Sequence, residues 1–155
     1  MELETFGWDV DGDGIAHAVF DVPGRSMNTL TAKAVADIIA ISKEVASNDA
    51  IKGLVISSGK PSGFCAGADL GEMNQSAGAG KSPADMSEAE LKKAQFDRGF
   101  SLNKTLRELE TCGKPVAVAL NGLALGGGLE VALACHYRVA ANDNPKLQFG
   151  LPEAK

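Results

Sequence analysis

Two glutamates next to short turns are the side chains in this sequence best suited to acid–base chemistry. Glu130 stands two residues after the last of three consecutive glycines, Gly126–Gly128, and Glu153 follows Pro152. A carboxyl group within hydrogen-bond reach of a substrate can take or give a proton. Either glutamate, considered alone, also has an interpretation without a catalytic role. Glu130 suits the first turn of a helix, where the helix dipole favours a negative charge, and Glu153 suits a solvated loop.

Two turns of small residues could supply main-chain N–H groups to the same chemistry. We predict that Ala66–Asp69 and Gly126–Gly128 each follow a strand and open into a helix. The first N–H groups of a helix lack an acceptor within it, and glycine or alanine lets a ligand approach the main chain closely. Two such groups directed at one oxygen would form an oxyanion hole. Such turns also occur for packing alone, so neither is a site by itself.

Two other patterns resemble binding motifs and fail at required positions. Asp9–Gly14 resembles the start of a calcium-binding loop, but Phe20 stands where a bidentate glutamate is needed. We interpret the run as a hairpin turn between two strands. Gly80–Ser82 resembles the end of a phosphate-binding loop, but its first glycine would fall on Gln75 and it follows a predicted helix.

Metal and disulfide chemistry find little support in the sequence. We interpret His17 and His136, which stand apart in apolar surroundings, as structural, because metal sites need clustered ligands. The cysteines Cys65, Cys112 and Cys135 form no Cys-x-x-Cys pair and cannot all pair with one another. We therefore expect no metal, and a reducing compartment.

Composition narrows the class of protein. The 155 residues suffice for one domain, and 45% hydrophobic with 23% charged residues is ordinary for a globular protein. A net charge of −5 argues against a nucleic-acid binder. Met1–Asp9 lacks the apolar segment of a secretory signal, and no apolar run approaches the ~18 residues of a membrane span. We expect a cytoplasmic protein.

Predicted strands and helices alternate along the chain and must position these residues. Their alternation predicts an α/β fold with right-handed crossovers. Hydrophobic periodicity separates strands from helices. The predicted strands are Phe6–Val10, Ile15–Val22, Ile51–Ser57, Val116–Leu120, Tyr137–Ala141 and Leu147–Gly150. The predicted helices are Thr31–Ala46, Asp69–Met73, Ser87–Glu110 and Leu129–Cys135. The predicted loops are Pro23–Asn28, Ser58–Gly67, Gln75–Pro83 and Asn121–Gly128.

Three segments, in this order, resemble the crotonase (enoyl-CoA hydratase/isomerase) superfamily: Phe64–Asp69, Asn121–Glu130 and Phe149–Glu153. Pro23–Leu30 resembles the early CoA-contacting loop of that family, so the resemblance spans nearly the whole chain. The run Leu129–Pro152 is most similar to the hydratase module of multifunctional fatty-acid β-oxidation alpha subunits. The fold implied is a crotonase-like ββα spiral in a single domain that lacks the family's C-terminal helical region.

The resemblance also implies a role for individual residues. It makes the N–H groups of Ala68 and Gly127 the oxyanion-hole donors. It makes Glu130 and Glu153 the two catalytic glutamates, with Glu130 as the base and Glu153 as the proton donor. The further substrate contacts that it implies are Arg25, Met27, Ala66, Asp69, Leu70, Gly126 and Pro152.

The activity implied is hydration of a 2-enoyl-CoA to a 3-hydroxyacyl-CoA, with CoA as part of the substrate and no separate cofactor. Two alternatives stay open: a Δ3-Δ2-enoyl-CoA isomerase of the same superfamily, and an acyl-CoA-binding module without activity, because family members continue past Lys155. The resemblance also implies that the full-length protein forms a homo-oligomer, trimeric or larger, or belongs to a β-oxidation complex. The chain departs from simple hydratases in a longer Gln75–Glu90 segment and in a wider Glu130–Glu153 spacing.

Overall fold

The computed structural model describes residues 1–69, 71 and 86–154, and for residues 94–101 it describes the backbone alone. Strands and helices alternate through these ranges, which confirms the α/β prediction. The strands are β1 Phe6–Val10, β2 Ile15–Phe20, β3 Gly53–Ser58, β4 Gly63–Cys65, β5 Val116–Leu120, β6 Leu123–Leu125, β7 Tyr137–Ala140 and β8 Phe149–Gly150. The helices with defined bounds are α1 Ala32–Ser47, α2 Glu88–Glu110 and α3 Gly127–Ala134.

The described strands form two sheets. The five-stranded sheet has the order β1-β2-β3-β5-β7, with β1 antiparallel to β2 and the other neighbours parallel. The three-stranded sheet has the order β4-β6-β8 and is parallel throughout. Parallel neighbours need crossover connections, so each sheet joins segments that are far apart along the chain.

Two predicted loops are partly wrong, because each contains a short strand. The loop predicted over Ser58–Gly67 includes β4, and the glycine-rich turn predicted over Asn121–Gly128 includes β6. Three residues are too few to show a period of two, so neither strand could be read from a hydrophobic pattern. Helix α3 also begins at Gly127 rather than at the predicted Leu129.

The core packs helix α1 and aromatic rings against the larger sheet. The ring of Phe20 stacks on Phe6 with centroids 4.5 Å apart and meets Phe64 edge-on at 6.3 Å. Helix α1 begins where Thr31 accepts a hydrogen bond from Ala34 N–H at 3.1 Å. Its apolar stripe is buried as the period predicted, through Ala34, Ile38, Ile41 and Val45.

Helix α2 begins as the sequence predicts. The Ser87 side chain accepts from Glu90 N–H, and the Glu90 carboxylate accepts from Ser87 N–H, so the two residues form a capping box. The helix runs to Glu110 without a break. None of the helices that the structure describes is long and apolar enough to cross a membrane.

The hairpin interpretation of the acidic run near the amino end is confirmed. Asp11 Oδ1 accepts hydrogen bonds from Asp13 N–H and Ile15 N–H at 3.0 and 2.9 Å, which closes the turn between β1 and β2. The expectation that His17 lies in apolar surroundings is wrong. Its side chain is 43% exposed, with Nε2 3.0 Å from Asp11 Oδ2. A strand alternates its side chains between two faces, and this one faces solvent beside the turn.

The other histidine has a structural contact. His136 Nδ1 accepts a hydrogen bond from Val116 N–H at 2.9 Å, at the start of β5. The cysteines Cys65, Cys112 and Cys135 are free thiols and buried. The phosphate-loop look-alike Gly80–Ser82, the predicted loop Gln75–Pro83 and most of the predicted helix Asp69–Met73 lie outside the described residues.

Candidate active site

Each of the three motif segments contains the carboxyl end of one of three adjacent parallel strands. Strand β6 lies between β4 and β8, with Cys65 paired to Ala124 and Leu125 paired to Gly150. Parallel strands end at the same edge of a sheet, and the crevice there is where ligands bind in α/β proteins. The chain leaves β4 into Ala66–Asp69, β6 into the glycines, and β8 into the Pro152–Glu153 turn. Sheet topology thereby brings the segments together.

Gly67 lets the first turn pack directly on the second. Its φ is +95°, and a β-carbon added there would lie 2.9 Å from Leu125 O and 3.6 Å from Gly127 N. Both the backbone conformation and the space therefore require glycine. The consequence is that Ala68 is held beside the first residues of α3.

Hydrogen bonds to Leu30 set the direction of the Ala68 N–H group. Leu30 N–H donates to Gly67 O at 2.8 Å, and Asp69 N–H donates to Leu30 O at 3.2 Å. These two bonds form a parallel bridge in which Ala68 is the central residue. In such a ladder the central residue's own N–H points to the opposite side, so Ala68 N–H points away from Leu30.

The glycines at the start of α3 present a second N–H group. Gly126 has φ +50°, and its own N–H donates to Gly150 O at 2.9 Å. Its carbonyl accepts from Leu129 N–H and Glu130 N–H, which starts the helix. Gly127 is the first helical residue, so its N–H has no acceptor within the helix. Neither Gly127 N–H nor Ala68 N–H donates a hydrogen bond within the described part of the chain.

The two predicted catalytic carboxylates border consecutive glycines of this turn. Glu130 Oε2 lies 3.6 Å from the position of a β-carbon on Gly127, and Glu153 Oε1 lies 3.1 Å from that on Gly126. Glu130 is partly buried and Glu153 is exposed. The structure therefore brings both side chains to one turn, although 22 residues separate them along the chain. Two carboxylates and two main-chain N–H groups at one place can bind an oxygen and move protons beside it.

The predicted substrate contacts Arg25 and Asp69 bind each other. Arg25 Nη1 donates to Asp69 Oδ2, and Thr29 Oγ1 donates to the same oxygen at 3.0 Å. The Asp69 side chain is 6% exposed, whereas that of Arg25 is 43% exposed. Arg25 therefore presents its guanidinium to solvent beside the site, and the Asp69 carboxylate faces the protein.

The remaining predicted contacts lie at several distances from the turn. Met27 lines a groove of about 640 Å³, together with Ser62, Leu123 and Lys146. Ala66 N–H donates to Asn28 O at 2.9 Å, so that amide is engaged within the protein. Gly126 forms the turn, Pro152 is exposed next to Glu153, and Leu70 lies outside the described residues.

Asn28 is a supporting residue that no sequence pattern predicts. It is 0% exposed, and its Oδ1 accepts from Val22 N–H at 2.9 Å. Its Nδ2 donates to Phe20 O at 2.8 Å and to Phe64 O at 3.1 Å. Together with the Asn28 carbonyl, which accepts from Ala66 N–H, these bonds hold the middle of β4 and the residue that follows it. An asparagine in a predicted loop gives no local signal of burial.

The environment of the nearby cysteine does not favour thiol chemistry. Burial raises the pKa of the Cys65 thiol to about 11, although the Gly67 backbone hydrogen bond opposes the change. The thiolate is the reactive form, so Cys65 is an unreactive packing residue beneath the turn. Among the described residues, no three His, Cys, Asp or Glu side chains group as metal ligands.

Comparison with known proteins identifies the family of the chain. A family model described as enoyl-CoA hydratase/isomerase matches residues 11–155. A fatty acid oxidation complex subunit alpha of Idiomarina loihiensis is 41% identical over 98% of this chain, and one of Shewanella amazonensis is also 41% identical. The chain spans 20% of the length of these curated relatives.

Solved structures share the fold. An enoyl-CoA hydratase from Bacillus anthracis has a TM-score of 0.74 and 26% identity, over 96% of this chain and 51% of its own. An enoyl-CoA hydratase/isomerase from Xanthobacter autotrophicus Py2 has a TM-score of 0.79 over 98% of this chain and 50% of its own. Because the two sequences are only 22% identical, this match is evidence for a shared fold alone. The crotonase-like fold prediction is thus confirmed. On the family match, the chain belongs to the enoyl-CoA hydratase/isomerase family.

Proposed function

We propose that this chain carries the reaction site of an enoyl-CoA hydratase, which adds water to a 2-enoyl-CoA and yields a 3-hydroxyacyl-CoA. The observation that carries the proposal is the approach of the Glu130 and Glu153 carboxylates to consecutive glycines of one turn. Hydration needs one group to take a proton from water and one to give a proton to carbon. Two carboxylates at one turn supply that pair.

The main-chain amides have the first role in the proposed mechanism. The thioester oxygen accepts hydrogen bonds from Ala68 N–H and Gly127 N–H, which draws electron density from the conjugated double bond. Negative charge then develops on an oxygen whose donors are already in place, an effect worth on the order of 3–4 kcal/mol for each donor. The amino end of α3 adds the positive end of its dipole. The β-carbon becomes electrophilic.

The carboxylates have the second role. Water held between them attacks the β-carbon, and Glu130 accepts the proton that this water loses. Glu153 gives a proton to the α-carbon, so the C=C π bond and one O–H bond of water are replaced by new C–O and C–H bonds, and no electron is transferred overall. Proton exchange with solvent then returns Glu130 to its carboxylate form and Glu153 to its protonated form. No step draws on a metal or a redox cofactor, and CoA enters as part of the substrate.

The setting of the reaction is also part of the proposal. We place the protein that contains this chain in the cytoplasm, in fatty-acid β-oxidation, as a homo-oligomer or within a larger complex. The support is the name of the relatives, which are subunits of a fatty acid oxidation complex. Exposed apolar side chains around β7 and β8 also suit an assembly interface. They are Leu133, Tyr137, Val139, Phe149 and Leu151.

The proposal is tested by replacing each carboxylate with its amide. Glu130→Gln and Glu153→Gln are expected to lower the hydration rate of 2-butenoyl-CoA by about 10²–10⁴-fold, because each removes one proton-transfer group. The loss of the conjugated absorbance reports the rate, and calorimetry reports the binding of saturated butanoyl-CoA, which should change little. Glu110→Gln is the matched control, since Glu110 pairs with Arg107 on the exposed face of α2.

The other outcomes separate the alternatives. Unchanged hydration in both amide variants would remove the two-glutamate mechanism. Turnover of 3-butenoyl-CoA to its 2-isomer without hydration would assign the isomerase reaction instead. Binding of both thioesters without turnover would make the chain an acyl-CoA-binding module.

A further inference from the structure

A buried carboxylate joins the loop before α1 to the turn that carries Ala68. Asp69 is 5% exposed, and its Oδ2 accepts hydrogen bonds from Arg25 Nη1 and from Thr29 Oγ1. Arg25 Nη1 also donates to Thr29 Oγ1 at 3.4 Å. The three side chains thus form one connected group that spans 44 positions of sequence.

The charge of Asp69 is what makes this group strong. Moving a carboxylate out of water costs free energy that must be offset by hydrogen bonds and an opposite charge. Here the guanidinium of Arg25 and the hydroxyl of Thr29 supply both. Charge-assisted hydrogen bonds of this type are stronger and more directional than neutral ones.

The same residue is also bound through its main chain. Asp69 N–H donates to Leu30 O at 3.2 Å, and Leu30 N–H donates to Gly67 O at 2.8 Å. Ala68 therefore lies between two residues that are bonded to Leu30. The side-chain group adds a second attachment one residue beyond Ala68, on the same neighbouring segment. A peptide held on both sides can rotate little, so the direction of Ala68 N–H depends on these attachments.

We propose that Asp69 is a positioning residue of the oxyanion hole: its carboxylate holds Arg25 and Thr29 against the turn and thereby fixes the direction of Ala68 N–H. This inference rests on the proposed function, since it assigns Ala68 N–H to the thioester oxygen. It gives Asp69 a part in the reaction that does not require contact with the substrate. It also separates Asp69 from Arg25, whose exposed guanidinium remains available to the CoA part of the substrate.

The test compares Asp69→Asn with Thr29→Val. Asparagine keeps the shape of the side chain and loses the charge, and valine keeps the shape of threonine and loses the donated hydrogen bond. We expect kcat for 2-butenoyl-CoA to fall on the order of 10- to 100-fold in Asp69→Asn, and less in Thr29→Val, with KM changing little. Arg107→Gln is the matched control, because it breaks an exposed Arg–carboxylate pair on α2.

A spectroscopic measurement distinguishes positioning from mere stability. Bound 4-(dimethylamino)cinnamoyl-CoA should show a red-shifted absorbance maximum in the parent chain, because hydrogen bonds to the thioester oxygen polarise the conjugated system. We expect a smaller red shift in Asp69→Asn and Thr29→Val, at saturating ligand and with unchanged far-ultraviolet circular dichroism. Thr29→Val decides the question if Asp69→Asn does not fold.

Two results would contradict different claims. A full red shift and an unchanged kcat in folded variants, or a raised KM alone, would overturn the positioning role of Asp69. A parent chain that binds the chromophore without any red shift would instead remove the oxyanion hole, and with it the proposed function.

Discussion

Glu153 Oε1 lies 3.1 Å from the point where a β-carbon on Gly126 would stand. Gly126 also has φ +50° and ψ −130°, a conformation that side chains rarely adopt. Glycine at this position therefore serves two purposes: it makes the sharp turn from β6 into α3, and it leaves room for a carboxylate from the segment after β8. The backbone conformation of Gly126 therefore affects where the proposed proton donor Glu153 lies.

The first prediction concerns this turn. Gly126→Ala is expected to destabilise the fold by on the order of 1–3 kcal/mol through backbone strain, and to lower kcat by displacing Glu153. Gly113→Ala is the matched control: Gly113 has φ +83° and nothing within 4 Å of an added β-carbon. Urea unfolding and the hydration assay together check both variants. Equal loss of activity in the two would show that strain alone, and not the Glu153 contact, matters at Gly126.

The second prediction compares the next two glycines. A β-carbon on Gly128 would lie 2.6 Å from the backbone carbonyl of Cys65, whereas one on Gly127 would lie 2.7 Å from the end of the Leu30 side chain. A side-chain end can move and a backbone carbonyl within a sheet cannot. We expect Gly128→Ala to cost about 2–3 kcal/mol of unfolding free energy. Gly127→Ala should stay within about 1 kcal/mol of the parent, since alanine also favours the helix.

Chemical denaturation measured side by side checks this ordering. A Gly127→Ala chain less stable than Gly128→Ala would contradict it, and would mean that Leu30 cannot yield.

The third prediction concerns the buried amide of Asn28. Asn28→Ala would leave Val22 N–H without its acceptor and would remove one donor from the carbonyls of Phe20 and Phe64, although Phe20 O also accepts from Gly59 N–H at 2.9 Å. Each buried group left unsatisfied costs about 1–3 kcal/mol, so the loss of unfolding free energy should be on the order of 2–4 kcal/mol. Thermal unfolding followed by circular dichroism measures it.

Asn121→Ala provides the comparison for that measurement. The Asn121 side chain donates one hydrogen bond, to Lys60 O at 2.8 Å, and its buried Oδ1 has no partner among the described residues. Asn121→Ala should therefore lower the free energy of unfolding clearly less than Asn28→Ala does. Equal costs would show that the bonds of Asn28 are not what holds β4.

The fourth prediction concerns alkaline pH. Burial raises the pKa of Cys65 to about 11 and that of Cys135 to about 12, against an ordinary value of 9.0. Above pH 9 the unfolded chain therefore loses these protons while the native chain keeps them. The contribution to stability is complete below pH 9 and falls as pH rises toward the native values, by up to about 1.4 kcal/mol per pH unit for each thiol.

A variant without the two thiols isolates this effect from other groups that titrate in the same range. Urea unfolding from pH 8 to 10.5 should show a shallower decline for the Cys65→Ala, Cys135→Ala double variant than for the parent. Parallel declines would refute the assignment to the cysteines.

Local pattern was enough to predict most of the longer elements. The period of α1, the start of α2 at Ser87 and the β-branched strand β3 all depend on residues close together in sequence. Strands β4 and β6 were not predictable, because three residues such as Gly63–Cys65 carry no period and are held by distant partners. The partner of His17 was missed for a related reason, since it depends on which face of β2 meets solvent.

The amino-acid sequence by itself determined which chemical groups are present: the paired glutamates, the small-residue turns that expose N–H groups, and the resemblance that assigns them roles. Only the tertiary structure decided that these groups meet. Cys65 pairs with Ala124, and Leu125 pairs with Gly150, so the turns after β4, β6 and β8 share one sheet edge. Such parallel pairings join segments separated by crossovers, and their order depends on the packing of the whole sheet rather than on any local preference.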